Sequence, residues 1–205
     1  MGTATPRSSR TLVAALLALA AALAAGGCGS AGAPSTTSAS GMAAGGTFPA
    51  LRPGPPSAGW RSATLPSSAV LAYPASWRRI GGDAGTATAA LRDAHGHFLG
   101  YLNLTPRQGR ETLADWATFR PAHNRAEGDT NVVLQSSARD VPFRGGARGS
   151  CVRDAYSTKT SGRFVEIACL VHGPHTDSVI VAAAPPAQWA RQWPALRRAL
   201  EAVQS

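Results

Sequence analysis

Apolar residues fall into three regimes along this chain of 205 residues. From Leu12 to Ala25 they run without interruption. From Gly29 to about Ser57 they lose all periodicity among Gly, Ala, Ser, Thr and Pro. Beyond that point short apolar stretches alternate with turn residues, and the last stretch takes on helical spacing. Ala69 to Tyr73 reads as a strand, stopped by Pro74 and the turn Pro74-Ala75-Ser76-Trp77. Thr86 to Arg92 and Phe98 to Leu104 flank Asp93-Ala94-His95-Gly96, the signature of a hairpin. Thr112 begins a helix, with Asp115 three residues on in a capping-box arrangement. Leu113, Trp116, Ala117 and Arg120 share one of its faces, and Pro121 is expected to end or kink it. Asn131 to Ser136 predicts a strand, and Ser178 to Ala184 a buried one. Pro185-Pro186 suits a helix start. Trp189, Trp193, Leu196, Leu200 and Val203 then follow helical spacing, with Arg197 and Arg198 turned outward. Pro194 predicts a kink or break in that helix. No internal repeat interrupts the series.

The first regime is an address rather than a fold. Arg7 and Arg10 precede the apolar run, and Gly26 and Gly27 lead into Cys28. That order reads as a secretory signal peptide over residues 1–27. LAAGGC resembles the lipobox of bacterial lipoproteins. The resemblance implies cleavage before Cys28 and a lipid anchor on its thiol, diacylglycerol first and palmitate after. The rival is an ordinary signal peptide with Cys28 incidental. Residues 28–57 read as a lipidated N-terminus and a flexible tether, since so little apolar surface cannot offset the entropy of ordering. Residues 58–205 are expected to form one globular domain with a core of its own. The expected location is the extracytoplasmic face of the cell membrane.

With Cys28 assigned to lipid, Cys151 and Cys169 leave only one pairing. They lie in two β-prone runs separated by Thr-Lys-Thr-Ser-Gly. A hairpin centred on Thr160 places them directly opposite, at a separation a disulfide can bridge. The same register sets Tyr156 beside Phe164, which is favourable, and Asp154 beside Glu166, which is not. A slip of two residues therefore stays open. So does the rival of two reactive or metal-binding thiols.

The formal net charge is +9, and of 20 basic residues only Lys159 is lysine. Attraction to anionic head groups or acidic wall polymers is one reading; a high-GC, lysine-poor coding sequence is the other. The basic residues are scattered, and no reader motif suggests nucleic acid as a partner. The chain contains no GxSxG, HExxH, Walker or dinucleotide fingerprint. No catalytic residue, cofactor or metal is therefore expected. His95 and His97 fall at one predicted turn, and His172 and His175 beyond a strand end; only a long-range approach would bring them together on a metal.

A strand ending in YPASW, a hairpin, a helix LADWATFR, several antiparallel strands and PPAQWARQWPALRRALEAV together resemble the PsbP-like fold. The resemblance spans about residues 60–205. It implies an α+β chain, an α/β sandwich in which an antiparallel sheet carries helices on both faces. That fold recurs in lipoproteins of high-GC Gram-positive bacteria, and its members include accessory and binding proteins without chemistry. The expected role is a noncatalytic module that binds an envelope protein, lipid or polymer. A carrier with a small apolar ligand between the sheet and the Trp189/Trp193 helix is the first alternative, and an exported hydrolase the second.

Overall fold

The computed structural model describes residues 47–205. The signal peptide, Cys28 and the tether up to residue 46 lie outside them. Strands β1 (Arg61–Thr64) and β2 (Val70–Tyr73) pair as a small hairpin, followed by β3 (Arg78–Ile80), β4 (Ala87–Arg92) and β5 (Phe98–Pro106). Helix α1 (Trp116–Ala126) leads to β6 (Thr130–Pro142), β7 (Arg148–Ser157), β8 (Arg163–His172) and β9 (Asp177–Ala184). Helix α2 (Pro186–Ala202) follows. Among the described residues no helix is long and apolar enough to cross a membrane.

Seven strands form one antiparallel sheet in the order β3-β4-β5-β9-β8-β7-β6. The chain builds one side as a meander, crosses through α1 to the far edge, and winds back until β9 closes the centre. Alternation along the strands divides the core in two. Ile167, Cys169 and Val171 of β8 and Ile180, Ala182 and Ala184 of β9 pack with Leu196, Ala199 and Leu200 of α2. The β1–β2 hairpin joins that side through Ala63, Leu65, Leu71 and Tyr73. The intervening residues Ala168, Leu170, Val179 and Val181 pack with Trp116 of α1. Val165 to Val171 is buried at every position because both sides of β8 are covered. The architecture is thus a mostly antiparallel sheet with two helices.

The sheet register matches the hairpin expected around Thr160. Cys151 stands opposite Cys169, Asp154 opposite Glu166 and Tyr156 opposite Phe164. The Cys151 and Cys169 sulfurs are bonded. Asp93 accepts the backbone N–H of both His95 and His97, with Gly96 at positive φ, so the expected turn is there. Trp77 is buried with its ring directly over Gly100, where a Cβ would meet it at 2.7 Å.

Four expectations are corrected. Thr112 and Asp115 do exchange backbone and side-chain hydrogen bonds, but the helix starts only at Trp116; the pair braces the preceding turn. Pro121 lies within α1, which runs on to Ala126. Its ring is buried, and that apolar burial offsets the one helical hydrogen bond a proline forgoes. Pro194 neither breaks nor ends α2, which continues to Ala202. It is exposed, as is Ala190, whose carbonyl it leaves without the usual helical donor. Finally, the packed fold reaches ahead of Ala58. Leu51 is buried in the α2-side core, the Arg52 N–H donates to Glu201 Oε1 (2.9 Å) and the Gly54 N–H to the Glu201 carbonyl (3.0 Å).

Candidate functional site

Helix α1 is too short to cover its side of the sheet. It packs over β6 and β7, with Trp116 fixed by an Nε1–H bond to the Ala168 carbonyl (2.9 Å). The half formed by β5 and β9 stays open and holds a cleft of about 660 Å³. Small side chains, Val181 and Ala183, form part of its lining and give it depth. Two aromatic pairs line it: Phe98 edge-on to Tyr101 (5.8 Å between centroids), and Tyr156 stacked on Phe164 (6.1 Å). Phe98 and Tyr101 come from β5, Tyr156 from β7 and Phe164 from β8.

Arg120 and Glu166 complete the lining. The Glu166 carboxylate is wholly buried and accepts four hydrogen bonds. Arg120 donates from Nε to Oε1 (2.7 Å) and from a terminal nitrogen to Oε2 (3.1 Å). Asn124 adds one to Oε1 (3.4 Å), and the Tyr156 hydroxyl one to Oε2 (3.1 Å). Burial alone would raise the Glu166 pKa, but the Arg120 guanidinium and these bonds outweigh it and hold the group below its usual range. The charge of the pair is therefore cancelled on the spot.

Asp154 is the other wholly buried carboxyl, directly across from Glu166. Burial and then the negative charge of Glu166 push its pKa up to about 8. The neutral acid is the favoured form. Its Oδ2 accepts from Asn124 (3.4 Å), and its Oδ1 is without a partner among the described residues. The clash that the register posed is resolved by one proton and one arginine rather than by a slip.

The sign of the pH effect follows. Between about pH 4 and 8 the native state keeps a proton on Asp154 that the unfolded chain has released, so stability falls as pH rises through that window. An Asp154→Asn variant keeps the shape and a donor toward Glu166 without the ionisation. Urea titrations should find it gaining steadily on the parent as pH rises from 5 to 8, and close to it near pH 4. A parent whose stability is flat from pH 5 to 8 contradicts a buried proton on Asp154.

The histidines do not converge. His97 contacts Asp93 through Nδ1 at the β4–β5 turn (3.1 Å), whereas His172 contacts Asp177 (2.6 Å) at the opposite end of the central strands. No cluster of three metal-ligating side chains exists among the described residues. The cleft is also not where the sequence reading placed a ligand. Trp189 and Trp193 stack on each other (5.5 Å) against a filled core on the α2 side, and the open space lies across the sheet. Sequence reasoning put Arg120 on one face of α1 with Trp116 but did not foresee its pairing with Glu166, 46 residues away.

No family model and no curated protein matches the chain by sequence. Solved structures do match it in shape. Cyanobacterial PsbP (CyanoP) from Synechocystis sp. PCC 6803 aligns over 72% of this chain and 93% of its own, at 12% identity and a TM-score of 0.52. The fold is PsbP-like. LpqN of Mycobacterium tuberculosis, described as involved in cell envelope biogenesis, aligns over 67% of this chain and 82% of its own, at 15% identity and a TM-score of 0.45.

Proposed function

We propose that this chain is a noncatalytic accessory module of the bacterial cell envelope, held at the extracytoplasmic face of the membrane by a lipid on Cys28. In this reading it takes a small ligand with an apolar or aromatic body in the cleft over β5 and β9. The observation that carries it is the cleft itself. About 660 Å³ lies within the range of small-molecule sites, and partly exposed aromatic pairs line a surface that a filled core would not leave open. The Arg120–Glu166 pair supports an uncharged group at that point, since neither charge is left for a ligand to neutralise. Binding rather than chemistry is favoured because the chain carries none of the catalytic fingerprints sought in its sequence; of the two carboxyls with a raised pKa, Asp154 lies outside the cleft lining, and Asp129, within it, is raised by burial and by the charge of Glu166. The signal-peptide pattern and the cysteine after Gly26-Gly27 support the anchor.

Native mass spectrometry of the full chain released from its membrane should find a bound small molecule. Tyr101→Ala and Phe164→Ala should each lose it while keeping their melting transitions. A parent that carries nothing and binds no member of a panel of aromatic and acyl compounds overturns the reading, as does a ligand indifferent to both substitutions.

A further inference from the structure

A second hollow, of about 340 Å³, adjoins the cleft on the same side of the sheet and shares Arg120, Asn103 and Val181 with it. Its chemistry is different. Glu111 lines it and is 5% exposed. One carboxylate oxygen, Oε1, accepts the Gln108 backbone N–H (3.3 Å); the other, Oε2, is buried with no hydrogen-bond partner among the described residues. A desolvated carboxylate oxygen without a donor is costly, and such groups in native folds are nearly always matched.

Nearby cations do not supply the match. Arg107 pairs with Asp177 (3.3 Å) and touches only the Glu111 backbone carbonyl (3.5 Å). Arg120 is committed to Glu166. Asp83 adds a second carboxylate to the lining, so this corner of a strongly basic protein is acidic. Its wall is aromatic: Trp116, Phe119 and His123 of α1 stack in series, with centroids 5.7 Å apart at each step. Aromatic rings in the same lining as a carboxylate oxygen that lacks a donor suit a positively charged N–H group carried on an apolar body.

We infer that the hollow at Glu111 binds a protonated amine, with the ammonium donating to Glu111 Oε2 and the adjoining part of the ligand lying along the Trp116–Phe119–His123 wall. The inference rests on Glu111 and not on what fills the larger cleft.

The test is a calorimetric comparison of 2-phenylethylamine with 2-phenylethanol, the same body with a charged or an uncharged head, on the purified full chain. The amine should bind about tenfold or more tightly, as expected for one charge-assisted hydrogen bond. Glu111→Gln, which keeps an acceptor for the Gln108 N–H, should bring the amine down to the affinity of the alcohol and leave the alcohol unchanged. Asp83→Asn, at an exposed position that the core does not use, should narrow the preference in the same direction even if the Glu111 variant folds poorly. Equal affinities in the parent, no measurable amine binding at millimolar concentration, or a preference that survives both substitutions overturns the inference.

Discussion

Replacing Arg120 with methionine should destabilise the protein by about 3–5 kcal/mol, the largest loss expected from any single substitution at the cleft. The reason is not the attraction lost but the charge left behind. Glu166 has no exposed surface, and Arg120 supplies two of the four bonds that keep it ionised. Without the guanidinium, Glu166 must either stay charged in an apolar surrounding or take up a proton, beside an Asp154 that already holds one. Two observations would identify this cause. The variant should regain stability as pH falls, because protonating Glu166 removes the unpaired charge; the sign is that of a carboxyl whose folded pKa has been raised. Adding Glu166→Gln to Arg120→Met should restore most of the loss, since the amide carries no charge, its oxygen can still accept from Asn124, and its NH2 can donate to the Tyr156 hydroxyl oxygen. Additive losses in the double variant, measured by urea unfolding, would mean that the two residues do not act as a pair.

Exchanging both Cys151 and Cys169 for alanine should lower stability by about 2–4 kcal/mol with the sheet order unchanged. The bond joins β7 to β8, closes a separation of 18 residues and is buried in the core on the α2 side. The strands it ties are paired along their whole length, so the fold should survive while the unfolded chain gains freedom. Thiol titration of the unfolded, unreduced Cys28→Ala chain should find no free thiol. Two free thiols, or a double variant that melts with the parent, would show that the bond is absent or idle.

The parts that could be read from sequence were those governed by neighbours in the chain. The β7–β8 hairpin, the Asp93 turn and the apolar face of α2 all follow from spacings within about twenty residues. Strand β6 could not be read beyond Ser136. It continues to Pro142 with three register breaks and with Asn131 and Asp140 at positive φ, which scramble the period-two pattern. β1 and β3 are too short, and too exposed on one or both sides, to leave a pattern. Neither proline ends its helix, and the two stand in different surroundings: Pro121 is buried and Pro194 is exposed. Asp154 beside Glu166 was visible as a conflict; its solution was not, since Arg120 and Asn124 arrive from a helix more than forty residues from Glu166. Glu111 stands just before the helix start expected at Thr112, in a stretch that carries no pattern of its own. Its importance comes from burial, which no local pattern announces.

The strand order also governs how this protein must come into being. β9 is the last strand in the chain yet stands between β5 and β8, and among the strand pairs of the large sheet it makes the one junction between the two meanders. A chain made N-terminus first presents β5 with a bare edge until residues 177–184 arrive. That edge and the Leu102 and Leu104 side chains beside it stay open to other chains for the whole interval in which residues 107–176 emerge. The chain is therefore most adhesive just before β9 pairs, when one short, alanine-rich strand decides between a closed sheet and two halves.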